Sequence, residues 1–193
     1  NSGENPKDKA AATTEDVPPT DLFIDRMSAS QALAAMLANQ AHAITALEAA
    51  LPAIDAAADA AYQRLSTSDN GRLIYVGAGT PARIGVQDGA ELPPTFNWPH
   101  HRIGFVIAGG EAALLRAVEN AEDSAEIACE HIADMSVTQN DVVIGLAASG
   151  NTVFTTAALV AAGQAGAVTI GVANNPDTAL LESVSYPVLL ATG

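Results

Sequence analysis

The chain has 193 residues and a mass of 19.6 kDa, which is enough for one substantial hydrophobic core and leaves little room for a second domain of full size. Its mean hydropathy is +0.19, yet charged residues or Gly and Pro interrupt every apolar run well before the roughly 20 residues that a membrane helix requires, which argues against a membrane protein. Eight basic against 22 acidic residues give a formal net charge of −14, which would repel nucleic acid and anionic lipid surfaces.

The N-terminal third of the sequence predicts a tail followed by a helical segment. Residues 1–27 combine Lys, Glu, Thr and Pro with little apolar content, and residues 1–14 lack the apolar run of a secretory signal. Over residues 28–66, Ser28 is a suitable helix cap and apolar residues recur at helical spacing. Because proline favours the first turn of a helix, Pro52 predicts two consecutive helices that form a hairpin-like unit.

Residues 67–193 change to short apolar runs that alternate with Gly-rich turns and helical stretches, which is typical of an α/β domain. Continuous apolar strands are buried on both faces, as parallel strands between two layers of helices must be. We therefore predict a doubly wound, mainly parallel five-stranded sheet flanked by helices, with strands at 72–77, 102–109, 141–147, 167–173 and 186–191 and helices at about 82–90, 111–134 and 152–165.

Two turns between a strand and the following helix form the candidate ligand site. Residues 77–83 read Gly-Ala-Gly-Thr-Pro-Ala-Arg, and residues 148–152 read Ala-Ser-Gly-Asn-Thr. Ligands of such sheets bind at the carboxyl ends of the strands, where helix N-termini and hydroxyls can hold an anion. We expect both turns to bind one phosphorylated ligand through Gly79, Thr80, Ser149, Gly150, Asn151 and Thr152.

The first turn also fits a dinucleotide-binding pattern, Gly-x-Gly-x-x-Ala at residues 77–82. That pattern expects an acidic residue about 20 positions further on, at the end of the next strand, to bind the ribose hydroxyls. The sequence has no carboxylate there before Glu111, and it contains no Gly-Lys-Ser/Thr of a Walker loop. We therefore expect no nucleotide cofactor, although glycines that merely turn the chain remain an alternative explanation of either turn.

Cysteine and histidine usage predicts a cytoplasmic protein without a metal centre. Cys129 is the single cysteine of the sequence, so an intrachain disulfide or a cysteine metal cluster cannot form. The four histidines lack the paired spacing of a zinc site, and they are His42, His100, His101 and His131.

Two acidic segments between the two turns supply candidate catalytic residues. Glu91 lies in Asp-Gly-Ala-Glu-Leu-Pro-Pro-Thr at residues 88–95, and Glu122 lies in Glu-Asn-Ala-Glu-Asp at residues 119–123. A carboxylate beside a bound sugar phosphate can act as a general acid or base. The pattern alone fits a solvated surface charge equally well.

The stretch from residue 71 to residue 173 resembles the N-acetylmuramic acid 6-phosphate etherase family, within the SIS (sugar isomerase) superfamily. The resemblance rests on long segments in register, which are GRLIYVGAGT at 71–80, DGAELPPTF at 88–96, AGGEAALLRAVENAED at 108–123 and DVVIGLAASGNT at 141–152.

This resemblance implies a carbon–oxygen lyase that forms homodimers, with active sites that combine residues of both subunits. The family cleaves the D-lactyl ether of N-acetylmuramic acid 6-phosphate to N-acetylglucosamine 6-phosphate and D-lactate, by elimination and addition of water, without metal or cofactor. By position, Glu91 matches the family's principal acid/base and Glu122 its second functional glutamate. Thr80, Ser149 and Thr152 match hydroxyls of its phosphate-binding turns.

The sequence departs from the family pattern in both turns and beside Glu91. Pro81-Ala82 replaces Ser-Gly, Asn151 replaces an arginine that could grip an anion, and Gly89-Ala90 replaces Ala-Ser. The chain also ends at Gly193, before a family segment rich in Ser, Thr, Arg, Met and Lys, so we expect a fragment or a shortened homologue.

Two other functions stay open at this stage. A non-catalytic SIS regulator that binds a sugar phosphate would suit the altered turns, and a phosphosugar isomerase would also use a glutamate base. Retained binding without turnover would identify the regulator, and aldose–ketose interconversion without lactate release would identify the isomerase.

Overall fold

A computed structural model describes residues 23–116, 118 and 120–192 of the chain. The tail predicted over residues 1–27 therefore lies mostly outside the described residues. Its described part contains a short 3₁₀ turn at Ile24–Arg26. None of the helices in the described part of the chain is both long and apolar enough to cross a membrane.

One continuous helix, α1 (Ala29–Ser66), takes the place of the predicted helix pair. Its start is a capping box, in which the Ser28 hydroxyl accepts from the Gln31 N–H and the Gln31 side chain accepts from the Ser28 N–H. The predicted break at Pro52 is wrong. Pro52 removes one hydrogen bond of the helix, but Ala50 and Ala57 on either side are buried against the sheet, and this packing holds both halves in one helix.

The five predicted strands are confirmed, and all of them pair in parallel. The sheet has the order β2-β1-β3-β4-β5. From β1 the chain crosses to β2 on one side and then returns to β3 on the other, so the strand order reverses between β1 and β3. Sheets of this order bind ligands at that reversal, outside the carboxyl ends of the strands. The strands are β1 (Leu73–Gly77), β2 (Ile103–Ile107), β3 (Val142–Leu146), β4 (Val168–Ala173) and β5 (Tyr186–Leu189).

Helices cover both faces of the sheet, as the apolar strands predict. Helix α1 packs on β3, β4 and β5, and α2 packs on β1 and β2 on the same face, while α4 and α5 pack on the opposite face. The helices after α1 are α2 (Gly79–Phe96), α3 (Ala112–Leu115), α4 (Ala125–Asp134), α5 (Val153–Gln164) and α6 (Ala179–Glu182).

The core confirms that the strands are buried on both sides. On the side of α4 and α5, Ile74, Val143, Phe154 and Leu159 are fully buried. On the side of α1, Val142 and its neighbours on β4 and β5 close against the buried alanines of the long helix.

The helix predicted over residues 111–134 is divided into α3, a 3₁₀ turn at Ala121–Asp123, and α4. Arg116, directly after α3, has an extended backbone with φ of −149° and ψ of 156°, and Asn120 is left-handed with φ of 60°, so the helix does not continue. Ser124 then caps α4, because its hydroxyl accepts from the Ile127 N–H at 3.2 Å. The division matters for the site, since it places Glu122 on a turn rather than along a helix.

Candidate functional site

The first turn leads directly from β1 into α2. Gly79 has φ of 57°, a left-handed conformation that favours glycine, and α2 begins there without a side-chain cap on its first N–H groups. Thr80 follows and is exposed. Its hydroxyl and the uncapped helix start can hold an anion, whereas Pro81 contributes no N–H.

The second turn has a similar construction at the end of β3. Gly150 has φ of 72°, and its N–H donates to the Ala147 carbonyl at 3.0 Å. The Asn151 N–H donates to the Ser149 hydroxyl at 3.2 Å. Thr152 is the cap residue of α5 and makes no side-chain capping bond, so the N-terminus of this helix also remains available to an anion.

The loop after β4 supports the second turn, which the sequence analysis missed. Asn175 is buried, and its side-chain amide donates to the Ser149 carbonyl at 3.2 Å. The Leu180 N–H donates to the Gly150 carbonyl at 3.0 Å, and the Ala179 N–H donates to the Asn151 side-chain oxygen at 3.4 Å. The signal that could have revealed this loop is the polar run Asn-Asn-Pro-Asp-Thr at the carboxyl end of a third strand.

A cavity of about 320 Å³ lies between the first turn and the segment that follows β2. Its lining includes Gly79 and Thr80 from the turn, Arg83 from α2, and Arg116 and Glu122 from the segment after β2. The structure thus brings one predicted catalytic residue together with two predicted ligand-binding residues. Sequence reasoning did not single out either arginine, although Arg83 follows Thr80 by three positions, the spacing of one helix face.

A second cavity, of about 310 Å³, lies on the other side of Thr80, toward β3 and β4. Thr80 and Pro81 of the first turn line it together with Ala147 and Ala148 at the end of β3. The two turns therefore face each other where the strand order reverses, and Thr80 belongs to both cavities.

Glu91 stands apart from both of these cavities within its own chain. It is exposed on α2, twelve residues beyond Gly79, which corresponds to about 18 Å along the helix axis. Neither cavity has it in its lining. A glutamate side chain is too short to span that distance, so the structure does not bring Glu91 and Glu122 together in one chain.

A partly buried hydrogen bond fixes the part of α2 that carries Glu91. The Tyr75 hydroxyl of β1 donates to the Asp88 carboxylate at 2.5 Å, and burial, together with this bond, raises the pKa of Tyr75. Asp88 lies three residues before Glu91 on the same helix, and Tyr75 also stacks on Phe105 of β2. The bond therefore anchors the middle of α2 to the sheet.

Cations near the site come from single arginines rather than from a basic patch. The Nε and Nη2 groups of Arg83 donate to the Ala113 carbonyl at 3.2 and 3.0 Å. Within residues 23–116, 118 and 120–192, no group of three or more His, Cys, Asp or Glu side chains is placed to hold a metal ion.

Comparison with known protein sequences identifies relatives of this chain. The chain is 43% identical over 180 residues to the N-acetylmuramic acid 6-phosphate etherase of Deinococcus radiodurans, an alignment that covers 93% of this chain and 58% of that protein. It is 41% identical over 170 residues to the enzyme of the same name from Pasteurella multocida, covering 88% of this chain and 56% of that protein. The chain thus spans a little over half the length of these relatives.

Comparison with solved structures confirms the fold. The phosphoheptose isomerase of Francisella tularensis superposes with a TM-score of 0.66 at 19% identity, over 85% of each chain. The phosphoheptose isomerase of Neisseria gonorrhoeae gives a TM-score of 0.61 at 20% identity, over 84% of this chain and 85% of that chain.

A family profile adds to these two comparisons. The profile of the glucokinase regulatory protein N-terminal SIS domain matches residues 56–163, which run from the second half of α1 through α5 and include both turns and both glutamates. The parallel sheet, the two turns at its strand reversal and this match together place the chain in the family of the glucokinase regulatory protein N-terminal SIS domain.

Proposed function

We propose that this chain is the sugar-phosphate-binding part of an N-acetylmuramic acid 6-phosphate etherase. The observation that carries the proposal is the placement of Glu122 in one cavity with Gly79 and Thr80, at the carboxyl edge of the sheet. Relatives of that name at 38–43% identity support it. We also propose a cytoplasmic location, which the exposed free thiol of Cys129 supports because it suits a reducing compartment.

The two turns would bind the 6-phosphate of the open-chain sugar. Each offers a helix N-terminus without a side-chain cap, together with a hydroxyl from Thr80 or Ser149. Such local donors are needed because the chain as a whole carries a charge of −14 and gives an anion no long-range attraction.

The glutamates would carry out the proton transfers of the ether cleavage. A carboxylate removes the proton from C2, beside the C1 aldehyde, and the C3–O bond breaks as a carboxylic acid protonates the departing lactyl oxygen. Water then adds at C3 and a proton returns to C2, which gives N-acetylglucosamine 6-phosphate and D-lactate. We assign these transfers to Glu91 and Glu122.

The separation of the two glutamates supports a site completed by a second copy of the chain. Glu91 is exposed and about 18 Å along α2 from the first turn, so a partner subunit would have to supply it to the cavity that holds Glu122. Helix α1 also exposes a row of large apolar side chains suited to burial in a homodimer, among them Leu33, Leu37, Ile44 and Leu47.

The test is release of D-lactate from N-acetylmuramic acid 6-phosphate by the full chain. We expect Glu91→Gln and Glu122→Gln each to lower kcat by about 100-fold or more, since each substitution removes an acid/base group and keeps its shape. Glu126→Gln, on the exposed surface of α4, is the matched control and should retain full activity. Release of lactate that is unaffected by either active-site substitution would refute the assignment of these residues.

A non-catalytic sugar-phosphate sensor is the second candidate function. The matching profile is that of a regulatory protein, and Asn151 stands where the etherase pattern has arginine, with its side-chain oxygen occupied by the Ala179 N–H. Binding of amino-sugar 6-phosphates without release of lactate would favour this function.

A further inference from the structure

The cavity that contains Glu122 also contains two arginines, which a phosphate held by the two turns does not account for. Arg83 and Arg116 line the cavity, while no residue of the second turn does. The cavity is thus on the side of the first turn that faces away from the second turn. It provides positive charge in a chain that has only eight basic residues.

The arginines in the described part of the chain differ in how their guanidinium groups are used. Arg72 pairs with Asp141, Arg64 and Arg102 donate to backbone carbonyls, and Arg26 stacks on Phe23. Arg83 donates twice to one carbonyl. Among the described residues, Arg116 is the one arginine of these six whose guanidinium makes no hydrogen bond, ion pair or ring contact, although its backbone N–H donates to the Ala112 carbonyl.

Arg116 and Glu122 share the cavity without neutralising each other. Among the described residues no ion pair joins Glu122 to Arg116 or to Arg83. The cavity therefore presents a free guanidinium and a free carboxylate to a ligand, which suits a ligand part that bears an anion and also exchanges a proton.

We propose that Arg116 binds the carboxylate of the lactyl group and so selects substrates that carry an acidic ether substituent. This inference rests on the proposed function, which supplies a substrate with two anionic groups. The phosphate on C6 would lie between the turns, and the lactyl ether on C3 would extend past Thr80 into the cavity with Arg116. Guanidinium and carboxylate form paired, charge-assisted hydrogen bonds.

The positions of Arg116 and Glu122 in one cavity also fit cleavage of the C3–O bond of the lactyl ether. When the C3–O bond is cleaved, its electron pair stays on the lactyl oxygen, which takes a proton from a carboxylic acid and leaves as part of D-lactate. Arg116 would hold the other end of the lactyl group throughout, so that the ether oxygen stays beside Glu122. The product sugar lacks this carboxylate and would lose the contact.

The experiment compares Arg116→Gln with the wild type on two ligands that differ only in the lactyl group. We expect the KM for N-acetylmuramic acid 6-phosphate to rise about 10- to 100-fold, the loss expected for a charged hydrogen-bonded contact. The Kd for N-acetylglucosamine 6-phosphate, measured by calorimetry, should stay within about twofold. Arg116→Lys should recover part of the loss, and Arg26→Gln, which removes an equal charge outside the cavity, should change neither value.

If Arg116→Gln weakens the binding of both ligands equally, the inference is overturned, because Arg116 would then bind the phosphate that both ligands carry. Unchanged binding of both ligands would overturn it as well. If the chain releases no lactate, the proposed function fails. The inference about Arg116 is then tested by ligand binding alone, measured in the Glu91→Gln variant with and without Arg116→Gln. A preference for the lactyl-bearing sugar phosphate that disappears in Arg116→Gln would still support it, and the lack of any such preference would refute it.

Discussion

At the scale of single residues, a partly buried ion pair joins Arg72, just before β1, to Asp141, just before β3. Asp141 is almost fully buried and accepts from Nε and Nη2 of Arg72 at 3.0 and 2.8 Å, and from the Thr138 N–H at 2.8 Å. Burial opposes ionisation of this carboxylate, but the hydrogen bonds from Arg72 and from the backbone outweigh burial and lower the pKa of Asp141.

Replacing Asp141 should therefore be costly and should change the acid response. We expect Asp141→Ala to lower the free energy of unfolding by about 3 kcal/mol or more, since Arg72 is left partly buried without its partner. The pKa of Asp141 is lower in the folded chain than in the unfolded chain, where it is about 3.9. The stabilisation that results is complete above about pH 3.9 and is lost as the pH falls through the pKa of the folded state.

Urea unfolding from pH 7 into the acid range measures both effects. The stability of the variant should depend less on pH below about 4 than that of the wild type. Asp55→Ala, an exposed position on α1, serves as the control and should leave stability nearly unchanged. If Asp141→Ala lowers the free energy of unfolding as little as Asp55→Ala does, the ion pair does not stabilise the fold as proposed.

At the scale of secondary-structure elements, α1 shows how packing overrides a local signal. Pro52 lacks an N–H, so one hydrogen bond to the preceding turn is missing in the interior of a 38-residue helix. The helix continues because the residues on both sides of Pro52 are held by the sheet, through Ala50, Ile54 and Ala57.

The substitution Pro52→Ala tests this explanation. We expect it to raise the free energy of unfolding by about 1–3 kcal/mol, because alanine restores the N–H and removes the clash of the ring with the preceding turn. Thermal or chemical unfolding of the full chain is the measurement. A decrease in stability would contradict this explanation, because it would mean that Pro52 itself stabilises the packing of α1 on the sheet.

The sheet could be predicted from the sequence, while other elements could not. Each strand is a short apolar run between Gly-rich turns, a signal that does not depend on distant residues. The division of residues 111–134 depends on the non-helical backbone of Arg116 and Asn120, and on Ser124, which caps α4. A helical pattern averaged over the segment conceals both features.

The candidate site was predictable in its turns and less so in its acidic residues. Gly79, Thr80 and the second turn follow strand ends, so their common edge follows from the parallel sheet. The distance from Glu91 to the first turn cannot be predicted from the sequence. The role of Arg116 depends on which of the other guanidinium groups are already bound by groups of the protein. Both depend on how the folded chain places residues that are distant in the sequence.

At the scale of the whole molecule, the account depends on association of two chains. Apolar side chains of α1 are exposed in the single chain, and Glu91 lies away from the cavity that Glu122 lines beside the first turn. A symmetric dimer repeats each contact, so each of its two sites would contain Glu122 of one subunit and Glu91 of the other.

Co-assembly of two inactive chains tests this claim most directly, with release of D-lactate from N-acetylmuramic acid 6-phosphate as the readout. Glu91→Gln and Glu122→Gln subunits, each inactive alone, are expressed together so that mixed dimers form. In a mixed dimer one site carries both substitutions and the other carries neither, so random pairing should restore about a quarter of the wild-type activity. Mixed dimers that form and release no lactate would contradict a site shared between two copies.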